Sequence, residues 1–116
     1  MIRARFVFSP PGQRPTPAVR RGATRGLQEA AVHVLGESNK IVPLEEGTLQ
    51  RSGQTDVEYP EASVYYDTPY AARQHEELTW RHDKGRSAKY LEKTLNATRA
   101  EVGKIVAAAI RREVGG

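Results

Sequence analysis

Val42-Pro43-Leu44-Glu45-Glu46-Gly47-Thr48-Leu49-Gln50-Arg51-Ser52-Gly53, read with Tyr66-Asp67-Thr68-Pro69-Tyr70-Ala71 further on, is where this chain changes its structural period. Upstream, Leu27, Ala30, Ala31, Val34 and Leu35 recur at steps of three and four, the spacing of a single helix face. That helix reads as far as Lys40 and ends near Pro43, because a proline drives its predecessor out of the helical region. Glu45-Glu46-Gly47 reads as a turn. Leu49 is the only large apolar residue in the polar run that follows, until Val57 opens an alternation of period two. Val57 and Tyr59 alternate with Asp56 and Glu58; after Pro60-Glu61, Ala62, Val64 and Tyr66 alternate with Ser63 and Tyr65. Two short strands joined by a proline-containing turn predict a hairpin, and Asp67-Thr68-Pro69 ends it with turn chemistry.

Working outward, Ala4, Phe6 and Phe8 alternate with Arg3, Arg5 and Val7, which predicts a half-buried strand near the N-terminus. Residues 9–17 hold four prolines and a glycine, a linker or arm that cannot be helical. Thr16 is suited to cap a helix that begins at Pro17, although Gly22 and Gly26 weaken its first turns. Beyond the hairpin, 70–78 is short and ambiguous, and 80–86 reads as a loop. Ser87 is the expected cap of a last helix along which Leu91, Leu95, Thr98, Val102, Ile105, Ala109 and Ile110 form the most regular apolar stripe in the chain. Gly103 inside that helix suggests close backbone packing. The first and last helices, each with one stripe, are expected to pack together on one face of the sheet.

At 116 residues the chain is expected to form one domain, 1–116, with a strand and proline-rich arm over 1–17 ahead of a core over 18–116. Leu, Ile, Val and Phe number 23, about a fifth of the residues, so the core is small and burial against other subunits would support it. The arm is expected to be extended and to reach a neighbouring copy or an adjacent ring, and removal of 1–16 to leave a folded monomer that assembles poorly. There is no cysteine, hence neither a disulfide framework nor a cysteine-ligated zinc. No apolar run approaches the ~18 residues of a membrane span, and the N-terminal residues are too few and too charged for a signal peptide, so a soluble protein is expected.

The net charge of +4 conceals a segregation. Residues 1–26 carry six arginines and no acid, 27–80 carry three basic and ten acidic groups, and 81–116 carry nine basic and four acidic. A DNA-binding domain usually gathers one sign on its working face. An acidic middle between basic ends suits head-to-tail packing of copies equally well, and solvated faces of mixed charge explain it with no partner at all.

Enzyme chemistry finds little support. His75-Glu76-Glu77-Leu78-Thr79 begins like a helical zinc-protease motif, but Thr79 stands where the second histidine is needed. His75 and His82 lie too sparsely to make more than a weak metal pair, and His33 reads as a surface or satisfied histidine. Glu45-Glu46 and Glu76-Glu77 are sequence neighbours whose side chains diverge, so they are not facing carboxylates. No catalytic residue, metal site or cofactor is predicted. A small hydrolase is thus the weakest of three readings. The second is a small basic nucleic-acid-binding module that uses the arginine arm and the basic last helix, with strongly salt-dependent affinity.

The first reading comes from a resemblance. The Pro-x-Glu-Glu-Gly-Thr-Leu…Ser-Gly run at 43–53, the Tyr-Asp-Thr-Pro-Tyr-Ala corner at 66–71 and Gly85-Arg86-Ser87-Ala88-Lys89-Tyr90-Leu91-Glu92-Lys93-Thr94-Leu95 together resemble the minor capsid, head–tail connector and tail-completion proteins of long-tailed bacteriophages. The resemblance covers residues 27–114. It implies an α+β fold with a long first helix, a small antiparallel sheet and a C-terminal helix, which are the elements read above. It also implies a virion structural protein of the neck, assembled in the host bacterial cytoplasm, with six or twelve copies in a ring around the DNA channel. Its partners would be copies of itself, neighbouring neck proteins and tail-tube or tail-terminator proteins, with packaged DNA as a further contact and no membrane. The interface candidates are Arg14, Arg51, Tyr66, Tyr70, Glu76, Glu77, Arg81 and Arg86, the acidic 45–77 region of one copy facing Arg51, Arg81 or Arg86 of the next.

Overall fold

In the computed structural model, residues 2–9, 14–41, 53–66 and 90–115 are described. Strand β1 (Ile2–Val7) leads to helix α1 (Pro17–Ile41), strands β2 (Gly53–Glu58) and β3 (Glu61–Tyr66), and helix α2 (Tyr90–Gly115). This is the α+β architecture expected from the sequence. Thr16 caps α1 as its type predicts: its Oγ1 accepts the Val19 amide proton at 3.2 Å and its carbonyl accepts that of Arg20 at 2.9 Å.

The three strands form one antiparallel sheet in the order β1-β3-β2. In register, Ala4 faces Val64 and Thr55, and Phe6 faces Ala62 and Val57. These residues form the face turned to the helices, with Ala62, Val64 and Tyr66 fully buried. β2 begins at Gly53, four residues before Val57, because the ladder to β3 carries on through polar Gln54 and Thr55. Tyr59 and Pro60, joined by a cis peptide bond, make the hairpin turn, and Phe8 donates its amide proton to the Pro60 carbonyl at 2.8 Å. β1 is therefore no appendage, since it pairs with β3 along its whole length.

The two helices run antiparallel and set the long axis of a body with extents 50 × 24 × 22 Å. α1 lies on β2 and β3, while α2 lies on α1 and touches β1. The buried stripe of α1 extends in both directions beyond the expected set, from Gly22 and Ala23 to Ser38. The glycines that seemed to weaken the helix prove to be its closest contact. A β-carbon on Gly22 would stand 2.7 Å from the Ile110 Cα, and one on Gly26 would stand 2.7 Å from the Val106 Cα. Small residues one turn apart let the backbones approach this far. Gly103 meets nothing within 4 Å, so the packing role expected of it belongs to Gly22 and Gly26. On α2 the stripe also takes in Thr94 and Val106. Thr98 fits it by donating its hydroxyl proton to the Thr94 carbonyl at 2.8 Å.

Three exposed pairs bridge the helices: Arg21 to Glu113 at 2.9 Å, Arg112 to both carboxylate oxygens of Glu29 at 2.8 and 3.0 Å, and His33 to Glu101. Exposed pairs contribute roughly 0–1 kcal/mol each, so they fix the register of the helices more than their stability. No helix among the described residues is long and apolar enough to cross a membrane.

Candidate functional site

Of the eight interface candidates, the described residues include two. Tyr66, expected at an interface, is instead fully buried in the chain's own core. Its hydroxyl donates to Asn39 Oδ1 at 2.6 Å and lies 3.0 Å from Ser38 Oγ, tying the end of β3 to the end of α1. Burial pushes the Tyr66 phenol upward in pKa against the opposing hydrogen bond with Ser38. Arg14 is exposed and, with Pro15, borders an open hollow of about 750 Å³ beside Tyr59 and Pro60. The described part of the arm thus borders the same hollow as the hairpin of its own chain. Arg51, Tyr70, Glu76, Glu77, Arg81 and Arg86 lie outside the described residues, as do His75 and His82.

A hollow of about 840 Å³ opens between the first half of α1 and β2. Arg20, Arg21 and Arg25 stand on one side and Thr55, Asp56 and Val57 on the other. Arg20 stacks over the Tyr59 ring at 4.9 Å, and Arg21 is held by Glu113. Gln28 donates across the hollow to Thr55 Oγ1 at 3.2 Å. Arg21's hydrogen bond in turn holds the Glu113 carboxyl below the ordinary carboxylate range. The Glu37 carboxyl is lowered in the same way, by its hydrogen bond with Lys40. Each of these shifts has an ion-pair or burial cause and none gathers groups around a reacting centre. Among the described residues no group of three or more His, Asp and Glu side chains could hold a metal ion.

The outer face of the sheet has an order of its own. Across the strands, Arg3 stands level with Tyr65 and Gln54, Arg5 with Ser63 and Asp56, and Val7 with Glu61 and Glu58. The Arg3 guanidinium lies 4.9 Å from the centre of the Tyr65 ring, and Arg5 reaches Glu61 at 3.8 Å. One lateral strand therefore carries cations and the other carboxylates. These residues were missed as site candidates because each occupies the polar phase of a strand, which reads as solvated surface. The signal that could have found them is that the polar phase of β1 is basic and that of β2 acidic.

Gly53, which ends the first quoted run, also has a structural role. A β-carbon there would lie 2.6 Å from Leu35 Cδ1 and 3.2 Å from the Tyr66 ring, so a side chain at the start of β2 would require the Leu35 side chain to shift.

Compared with known proteins, the chain matches no family model, no curated protein and no solved structure.

Proposed function

We propose that this chain is a structural subunit of the neck of a long-tailed bacteriophage, a ring-forming head–tail connector or tail-completion protein that joins the DNA-filled head to the tail. The observation that carries the reading is the position of the three motifs relative to the fold. The run at 43–53 fills the link from α1 to β2, the corner at 66–71 begins on the last residue of β3, and the run at 85–95 crosses into the first turns of α2. Motifs at the joints of an α+β subunit are what the resemblance calls for.

The core supports the same view. Among the described residues the largest fully buried side chains are Tyr66, Leu27, Leu91, Val34, Val64 and Ser38, a modest set in which two carry hydroxyls. A subunit with so little apolar volume gains stability from association. Function on this reading is assembly, with no catalytic step assigned to any residue, and its setting is the virion.

The test is the mass of the purified chain by sedimentation over a wide concentration range, with electron microscopy of the assembled fraction. Closed rings are expected. A chain that stays monomeric at every concentration and binds DNA with steep salt dependence would instead be the small nucleic-acid-binding module.

A further inference from the structure

Resting on the ring reading, we infer that copies join head to tail through the two open edges of the sheet, the β2 edge of one copy taking the β1 edge of the next. In the order β1-β3-β2 both lateral strands have one side on which no described strand pairs. An unpaired edge presents a row of amide and carbonyl groups that a further strand can satisfy. Among the described residues no helix pairs with either edge, although α1 lies near β2 and the last helix near β1. The 840 Å³ hollow runs between β2 and α1, and a second hollow of about 270 Å³ lies where Phe6, Val7 and Phe8 face Val102 and Val106.

Charge names the occupant. The exposed side chains beside the β2 edge include Asp56 and Glu58, and those beside the β1 edge include Arg3 and Arg5, all on the outer face. No ion pair engages Asp56 or Glu58 among the described residues, and Glu58 stands directly across from another carboxylate, Glu61. Like charges set opposite one another destabilise a ladder, and Arg5, 3.8 Å from Glu61, offsets only the Glu61 side of this pair within the same copy. Natural edges are often protected by charge, but protective charges of opposite sign on the two edges of one sheet fail against each other. They protect against two alternatives instead. A symmetric dimer through β2 would set carboxylates against carboxylates, and one through β1 would set arginines against arginines. The arrangement that remains is heterologous, which closes into a ring when the rotation between copies closes and otherwise runs on as a filament.

Direction and register follow. β1 and β2 both run antiparallel to β3, so they run the same way. Copies related by rotation about an axis along the strands would therefore pair β2 with the next β1 in parallel. Only even staggers keep the charged rows on one face. A level junction sets Asp56 beside the next copy's Arg5. A shift of two residues sets Asp56 and Glu58 beside its Arg3 and Arg5, and it supplies the strand tilt that a closed barrel of sheets requires.

The experiment uses the full chain and two variants, Asp56→Lys/Glu58→Lys and Arg3→Glu/Arg5→Glu, each checked for an unchanged circular dichroism spectrum. Each alone has edges of one sign and should need about tenfold more protein, or greater, for half-assembly. An equimolar mixture restores opposite charges at every junction and should assemble near the wild-type concentration in alternating rings. Rings that form normally from either variant, or a mixture that fails to recover, overturn the edge junction and leave the ring reading standing. A wild-type chain that never associates overturns both.

Discussion

At Gly26, as at Gly22, the backbones of α1 and α2 approach closely, and adding one methyl group there is a sharp test of the helix packing. The β-carbon of Gly26→Ala would lie 2.7 Å from the Val106 Cα, 3.0 Å from the Ala109 Cβ and 3.2 Å from the Val106 carbonyl oxygen. Two of these three are backbone atoms, which cannot rotate away. To reach even the 3.4 Å of ordinary contact the helices must part by about 0.7 Å along this line. A gap of that size along the remaining contacts forfeits about a quarter to a half of their dispersion energy. Overpacking of this kind costs roughly 1–3 kcal/mol, while alanine returns about 1 kcal/mol of helix propensity over glycine. The internal control is Gly103→Ala, where the new methyl meets nothing within 4 Å and only the propensity gain applies. Gly26→Ala should therefore be less stable than Gly103→Ala by about 1–3 kcal/mol. It should fall below wild type by up to about 2 kcal/mol. Urea denaturation followed by far-ultraviolet circular dichroism at one fixed protein concentration measures both. Adding Gly22→Ala to Gly26→Ala should cost less than the sum of the single changes, because one parting of the helices accommodates both methyls. Equal stability of Gly26→Ala and Gly103→Ala would refute the close approach.

Tyr66→Phe removes the hydroxyl shared with Ser38 and Asn39 and should lower stability by about 1–3 kcal/mol through the unsatisfied groups left behind. The Tyr66 pKa is raised in the fold, so the neutral phenol is the stabilised form. Its contribution is complete below the ordinary value of about 10 and fades as pH climbs through the raised one; the wild-type advantage over Tyr66→Phe should shrink there, and a constant difference would contradict the burial. Leu95→Asp and Val102→Asp each place a charge against the core and should abolish the native circular dichroism, whereas native melting curves for both would remove these residues from it. Deleting residues 1–16 should yield an aggregating, poorly folded chain and not a trimmed monomer, because it strips β1 from β3 along their whole pairing; a soluble, cooperatively melting product by light scattering and calorimetry would show the two-stranded remainder to be self-sufficient.

Where periodicity and capping chemistry act locally, the sequence carried the fold openly. The Thr16–Pro17 start of α1, the Val57-to-Tyr66 hairpin and the alternation of Ala4, Phe6 and Phe8 all recur in the structure. What it concealed depends on partners distant in the chain. Gly22 and Gly26 read as weak helix formers because propensity is a property of one residue, while their value lies in what α2 brings against them. Gln54 and Thr55 read as link because a ladder recruits polar residues once its neighbour is in place. A tyrosine at a corner, as Tyr66 is, suits both core and surface in the sequence, and burial beside Ser38 decides between them. The candidate surface was legible in part: the signs of Arg3, Arg5, Asp56 and Glu58 are plain in the sequence, but which strands are lateral is a matter of topology.

The strand order also imposes a schedule on synthesis. β1 leaves the ribosome first, yet its partner is made last among the strands, Arg5 waiting for Ser63. At about 5–20 residues per second the N-terminal segment spends roughly 3–12 s as a nascent strand with nothing to pair with. Throughout that interval Phe6 and Phe8 are open to other chains. Arg3 and Arg5, placed between the apolar positions, act as gatekeepers that keep such a segment from aggregating. The two arginines thus serve the chain before it has folded at all.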